Sequence, residues 1–175
     1  VVAKGFNRFF NAGEDEATFK QFDWSDFTTA TKEDGSLILV YHYAGEWPVN
    51  TRGSFGLGEC GFSGQSWRDL FWSVANFSLG GLCKHSTYVF DLCTPHNKVV
   101  RSYPKPCVYL LSVFCNITGN EMSPSECDRE LQVMPGAYRP LSYHFRAMGE
   151  IAVFLKDMED LDKTFEGVVV RDREN

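Results

Sequence analysis

The chain has 175 residues, 43% of them hydrophobic, 15 of them phenylalanine, and a formal net charge of −6. That length fits one domain, and the apolar content is ample for a core. The acidic balance argues against a protein that coats a phosphate backbone, so nucleic acid is not expected as a partner, and runs such as Leu37–Tyr41 and Ile151–Leu155 fall far short of the ~20 apolar residues that cross a bilayer.

Residues 1–22 form an N-terminal entry segment, with Phe6, Phe9, Phe10 and Phe19 around the acidic run Glu14-Asp15-Glu16. From Asp23 the stretch DWSDFTTATKEDGSLILVYHY alternates and is rich in β-branched residues, and Asp34-Gly35 between two such runs reads as a hairpin turn. The glycine-rich stretch Gly45–Gly64 reads as a turn-rich rim. In SWRDLFWSVANFSLGG, Ser66 and Asp69 resemble an N-terminal cap. Trp67, Leu70, Phe71, Val74 and Ala75 then fall on one helical face, and Gly80-Gly81 can terminate the helix.

Three short strands are expected between Cys83 and Cys115, around Tyr88-Val89-Phe90, Val99-Val100 and Val108–Leu111. Ile151, Phe154, Leu155, Met158, Leu161 and Phe165 fit a helix by length, and Val168-Val169-Val170 a final strand. The expected organisation is therefore one disulfide-bonded domain over residues 23–170, followed by a charged tail at 171–175.

Cys60, Cys83, Cys93, Cys107, Cys115 and Cys127 form an even set, which suits disulfides in an oxidising compartment. The sequons at Asn76 and Asn116 point the same way, as does a first residue, Val1, that is compatible with removal of a signal peptide. The stretch LCKHSTYVFDLCTPH offers a competing reading, since Cys83, His85, Cys93 and His96 are donors that zinc prefers. The tight Cys83–His85 spacing and the four other cysteines favour half-cystines, so no metal and no cofactor are expected.

Catalytic signatures are absent: there is no G-x-S-x-G, H-E-x-x-H or P-loop. The segment GECGFSGQSW resembles a papain-type motif, but Ser66 stands where the nucleophilic cysteine would have to precede tryptophan. No catalytic residue is assigned, although a dispersed hydrolase site stays open. The aromatic surplus points instead to an apolar pocket for a hydrophobic or lipid-like ligand, with Trp67, Phe71, Trp72, Phe90 and Phe154 as its wall.

The order of features resembles the GM2-activator and ML-type lipid-recognition family. The resemblance rests on EDGSLILV, LCKHSTYVFDLCTP followed by YPKPC, CNITGNEMSP and PGAYRPLSYHFRAMGEI. It implies a mainly β fold, an antiparallel sandwich or barrel with one or two short helices, stapled by disulfides. The expected function is a secreted, extracellular, non-enzymatic carrier of a hydrophobic ligand. The alternative is a small cysteine-rich effector or toxin that engages a host or receptor protein through its surface loops.

Overall fold

The computed structural model describes residues 1–53, 64–97 and 100–172. The chain divides into two compact units, one made of Val1–Gly5 with Glu33–Pro140, the other of Phe6–Lys32 with Leu141–Asn175.

In the first unit five strands form a sheet of order β3-β2-β4-β5-β6: β2 Ser36–Tyr41, β3 Val49–Thr51, β4 Ser86–Cys93, β5 Cys107–Cys115 and β6 Ala137–Tyr138. All neighbours are antiparallel except β5 and β6, which run parallel. A parallel pair needs a crossover, and it contains helix α3, Pro124–Glu130, whose cap Ser123 and third residue Glu126 form a reciprocal capping box.

Every residue of β4 is buried. Tyr88, Phe90 and Leu92 on one face join Ile38, Val40, Leu70, Phe71, Leu110 and Met134 in the core. Helix α2, Trp67–Val74, closes over that core; the Ser66 hydroxyl accepts the Asp69 N–H at 3.0 Å, and Leu70 and Phe71 are buried.

In the second unit β1 (Phe27–Thr31) lies between β7 (Ser142–Tyr143) and β8 (Val168–Asp172), all antiparallel. Helices α1, Glu16–Gln21, and α4, Met148–Leu161, complete it. The rings of Tyr143, Phe145, Phe154 and Phe165 form a connected cluster, with centroid separations of 4.8 Å for Tyr143–Phe154, 5.3 Å for Phe145–Phe154 and 5.8 Å for Phe154–Phe165.

The mainly β, antiparallel, disulfide-stabilised fold expected from the sequence is corrected: the chain combines mixed sheets with helices. Cys83, Cys93, Cys107, Cys115 and Cys127 are free thiols, and Cys60 lies outside the described residues. The strand around Phe90 is held by ladders to β2 and β5 on either side, not by staples at its ends. The expected hairpin at Asp34-Gly35 does not form either, because β1 and β2 flank that turn without pairing and enter different sheets. Half of the Gly45–Gly64 rim, and Val99 of the second expected strand, lie outside the described residues.

Phe90 is wholly buried, its ring 5.2 Å from Phe71 and 5.8 Å from Phe77. Phe90→Ala is therefore expected to lower unfolding free energy by about 3–5 kcal/mol, read as a shift of the urea midpoint at unchanged slope.

Candidate active site

The segment TKEDGS leaves β1 and enters β2, and its side chains are held far more tightly than a surface turn requires. In the second unit the Lys32 N–H donates to the Gly167 carbonyl at 2.9 Å, extending the β1–β8 register by one residue beyond Thr31–Val168. Gly167 has φ +138°, a backbone conformation that favours glycine. That turn delivers Glu166 to Lys32, and their side chains form an ion pair. The Lys32 side chain is 46% exposed, so the amine is accessible to a solute. Next to it the Thr31 N–H donates to the Leu141 carbonyl at 2.8 Å, and its hydroxyl lies 3.2 Å from that of Tyr143.

In the first unit the following residues are pinned by the segment after β4. The Tyr103 hydroxyl accepts the Asp34 N–H at 2.9 Å and donates to the Glu33 carboxylate at 2.8 Å. The Asp34 carboxylate accepts the N–H groups of Val100 and Arg101, each at 2.5 Å. Arg101 also reaches Glu33 at 3.5 Å and lies over the Tyr103 ring, 5.4 Å from its centroid.

Asn97 fixes the base of that segment. Its side-chain amide donates to the Leu92 carbonyl (2.6 Å) and the Ser36 hydroxyl (2.9 Å), while its oxygen accepts the N–H and the hydroxyl of Thr94, both at 2.7 Å. Gly35 is required by space: a Cβ there would sit 2.5 Å from the Leu92 carbonyl oxygen and 2.6 Å from the Asp91 carboxylate.

The electrostatics of this turn are costly. Burial raises the Glu33 carboxyl above its ordinary value, opposed by the Tyr103 hydrogen bond and the Arg101 charge. Burial likewise pushes the Tyr103 phenol well above its usual range, so it stays protonated and able to donate. Among the described residues no group of three or more His, Cys, Asp or Glu side chains converges as a metal site.

The residues expected from sequence to line a pocket are distributed as follows. Phe71 and Phe90 are wholly buried and in ring contact, with Trp67 and Trp72 packed partly buried against the same core. Phe154 is in the second unit, within its own aromatic cluster. Asn76 is exposed, whereas Asn116 is buried, its side chain accepting from the Thr87 hydroxyl and donating to the Val2 carbonyl.

The comparisons with known proteins give the class of the chain. A family model described as RNA ligase matches residues 1–175. The chain belongs to the RNA ligase family.

It is 30% identical, over 194 aligned positions, to a protein of Autographa californica nuclear polyhedrosis virus described as "Putative bifunctional polynucleotide kinase/RNA ligase". All of this chain is covered, but it spans only 26% of that relative. Among solved structures it resembles an archaeal ATP-dependent RNA ligase, with TM-score 0.66 and 16% identity, covering 90% of this chain and 42% of that one. It also resembles a mutant RNA ligase of Naegleria gruberi with ATP and Mn, with TM-score 0.63 and 12% identity, covering 89% and 48%.

These findings overturn the GM2-activator and ML-type resemblance, and with it the lipid-carrier, effector and non-enzyme readings. The exclusion of nucleic acid falls too, because a net charge of −6 describes the whole chain and says nothing of local chemistry at one lysine.

The sequence reading gave no site role to Lys32, Glu33, Asp34, Tyr103 or Glu166, and took Asp34-Gly35 for a hairpin turn. The available signals were a lysine directly before an acidic Asp-Gly turn, and Glu166-Gly167 directly before a β-branched run.

Two outcomes follow from this geometry. Gly35→Ala forces the turn away from β4 and is expected to cost about 1–3 kcal/mol, measured as a lowered melting temperature. For Glu33, a raised folded-state pKa means that its contribution to stability is greatest below about pH 4.5 and is lost as pH rises through the folded value. Glu33→Gln is therefore expected to flatten that part of the stability–pH curve, matching or exceeding the wild type at pH 7 in urea titrations.

Proposed function

We propose that this chain carries the nucleotide-accepting centre of an ATP-dependent RNA ligase, with Lys32 as the covalent nucleophile. The observation that supports this most directly is the accessible Lys32 amine paired with Glu166 in a chain of the RNA ligase family. An amine attacks only when unprotonated. The Glu166 carboxylate is in contact with Nζ and is placed to receive the departing proton. The lone pair of Nζ then forms a bond to the α-phosphorus of ATP, the bond from that phosphorus to the bridging oxygen breaks, pyrophosphate leaves with those electrons, and the nitrogen gives up its second proton to solvent.

The product is an AMP–lysine phosphoramidate, which passes AMP to a terminal phosphate of an RNA strand. That terminus is then a mixed anhydride open to attack by a hydroxyl of a second RNA end, with AMP as the leaving group. A divalent cation in this reaction would draw ligands from the nucleotide phosphates and water.

Incubation of the full-length protein with ATP labelled at the α-phosphate and a magnesium salt tests the first step. Label is expected to survive denaturation, to be released by acid as expected of a P–N bond, and to map to Lys32. Lys32→Ala is expected to abolish it, and Glu166→Gln to slow it by about 10²-fold. Label persisting in Lys32→Ala would sink the assignment.

A further inference from the structure

We propose that Tyr103 is a positioning residue for Lys32, acting through a buried hydrogen-bonded brace on the Glu33-Asp34 turn that follows it. This rests on the assignment of Lys32 as nucleophile. The Tyr103 hydroxyl is spent on two neighbouring residues at once, accepting from the Asp34 N–H at 2.9 Å and donating to the Glu33 carboxylate at 2.8 Å. The Asp34 carboxylate ties the same turn to the N–H groups of Val100 and Arg101. The peptide plane between Lys32 and Glu33 is rigid, so a fixed Glu33 narrows the backbone orientations open to Lys32.

The arrangement is not one that stability alone favours. A carboxylate with 3% of its side chain exposed is a net burden unless fully compensated, and an apolar residue would serve packing better. The groups facing Glu33 are Tyr103 and Arg101 from the segment after β4, with Cys107 and Tyr109 of β5 also within its field. Arg101 is the cation among these, and it also lies against the Tyr103 ring, so ring, hydroxyl and guanidinium form one brace. Misplacing a nucleophile by about 1 Å can cost 10²-fold in rate without touching substrate affinity, and an effect of that kind distinguishes a brace from a binding group.

The test is single-turnover labelling of the full-length protein by ATP, with Tyr103→Phe, Glu33→Met and the double variant beside Tyr109→Phe as a hydroxyl-deletion control. Tyr103→Phe is expected to slow labelling at saturating ATP by at least tenfold, to leave half-saturating ATP within twofold, and to retain native circular dichroism at the assay temperature. The double variant is expected to be no slower than the worse single variant, since both break one brace, and Tyr109→Phe is expected to label within twofold of the wild type.

Wild-type labelling speed in Tyr103→Phe and Glu33→Met, with Lys32→Ala silent, overturns the brace and leaves the nucleophile standing. A raised half-saturating ATP at an unchanged saturated rate overturns it as well, because Tyr103 would then act in nucleotide binding. A slowing matched by a fall in folded fraction, or shared by Tyr109→Phe, overturns it as a loss of structure. No label in the wild type removes the nucleophile and the brace together.

Discussion

The Tyr103 hydroxyl, shared between the Asp34 N–H and the Glu33 carboxylate, is the contact on which the arrangement of the Glu33-Asp34 turn depends. Without it the buried Asp34 N–H would lose its acceptor and Glu33 would keep only Arg101, and the loss of a buried hydrogen-bond partner costs about 1–3 kcal/mol. The same hydroxyl serves both because a phenol accepts and donates at once, and burial raises its pKa further above the ordinary value. Asn97 and Arg101 extend the network outward, one fixing the loop that carries Tyr103, the other balancing the Glu33 charge. A short stretch of chain is thus specified by polar contacts of high sequence separation, not by its own turn chemistry.

Two glycines make the neighbourhood of Lys32 possible for different reasons. Gly35 is needed for space, since the backbone passes so close to Leu92 and Asp91 that no β-carbon fits. Gly167 is needed for conformation, its positive φ turning the chain so that Glu166 precedes β8 beside Lys32. Each acts within its own unit. The lysine is the residue where their effects meet along the chain, through hydrogen bonding to Gly167 on one side and a peptide bond to Glu33 on the other.

The sequence was most legible where structure is local. The cap of α2 follows from Ser66 and Asp69, three residues apart, and α4 and β8 follow from apolar periodicity and a β-branched run. It was misleading where a local signal had a distant cause. Asp34-Gly35 has the composition of a hairpin, yet its carboxylate is taken up by Val100 and Arg101 and its glycine is demanded by β4. An even cysteine count suggested staples, but Cys93 and Cys107 are register partners on adjacent strands and remain free thiols. The aromatic surplus was real, and Phe71 and Phe90 spend it on the core of the first unit.

The sequence by itself determined α2 with its cap, most of α4, the central strands and the abundance of core-forming rings, because each of these is encoded within a window of a few residues. Only the tertiary structure decided which carboxylate meets Lys32 and which hydroxyl meets Glu33. Lys32 and Glu166 lie 134 positions apart, and Tyr103 lies 69 or 70 positions from the residues it braces. No local pattern carries such pairings; strand register and loop placement create them once the sheets have formed.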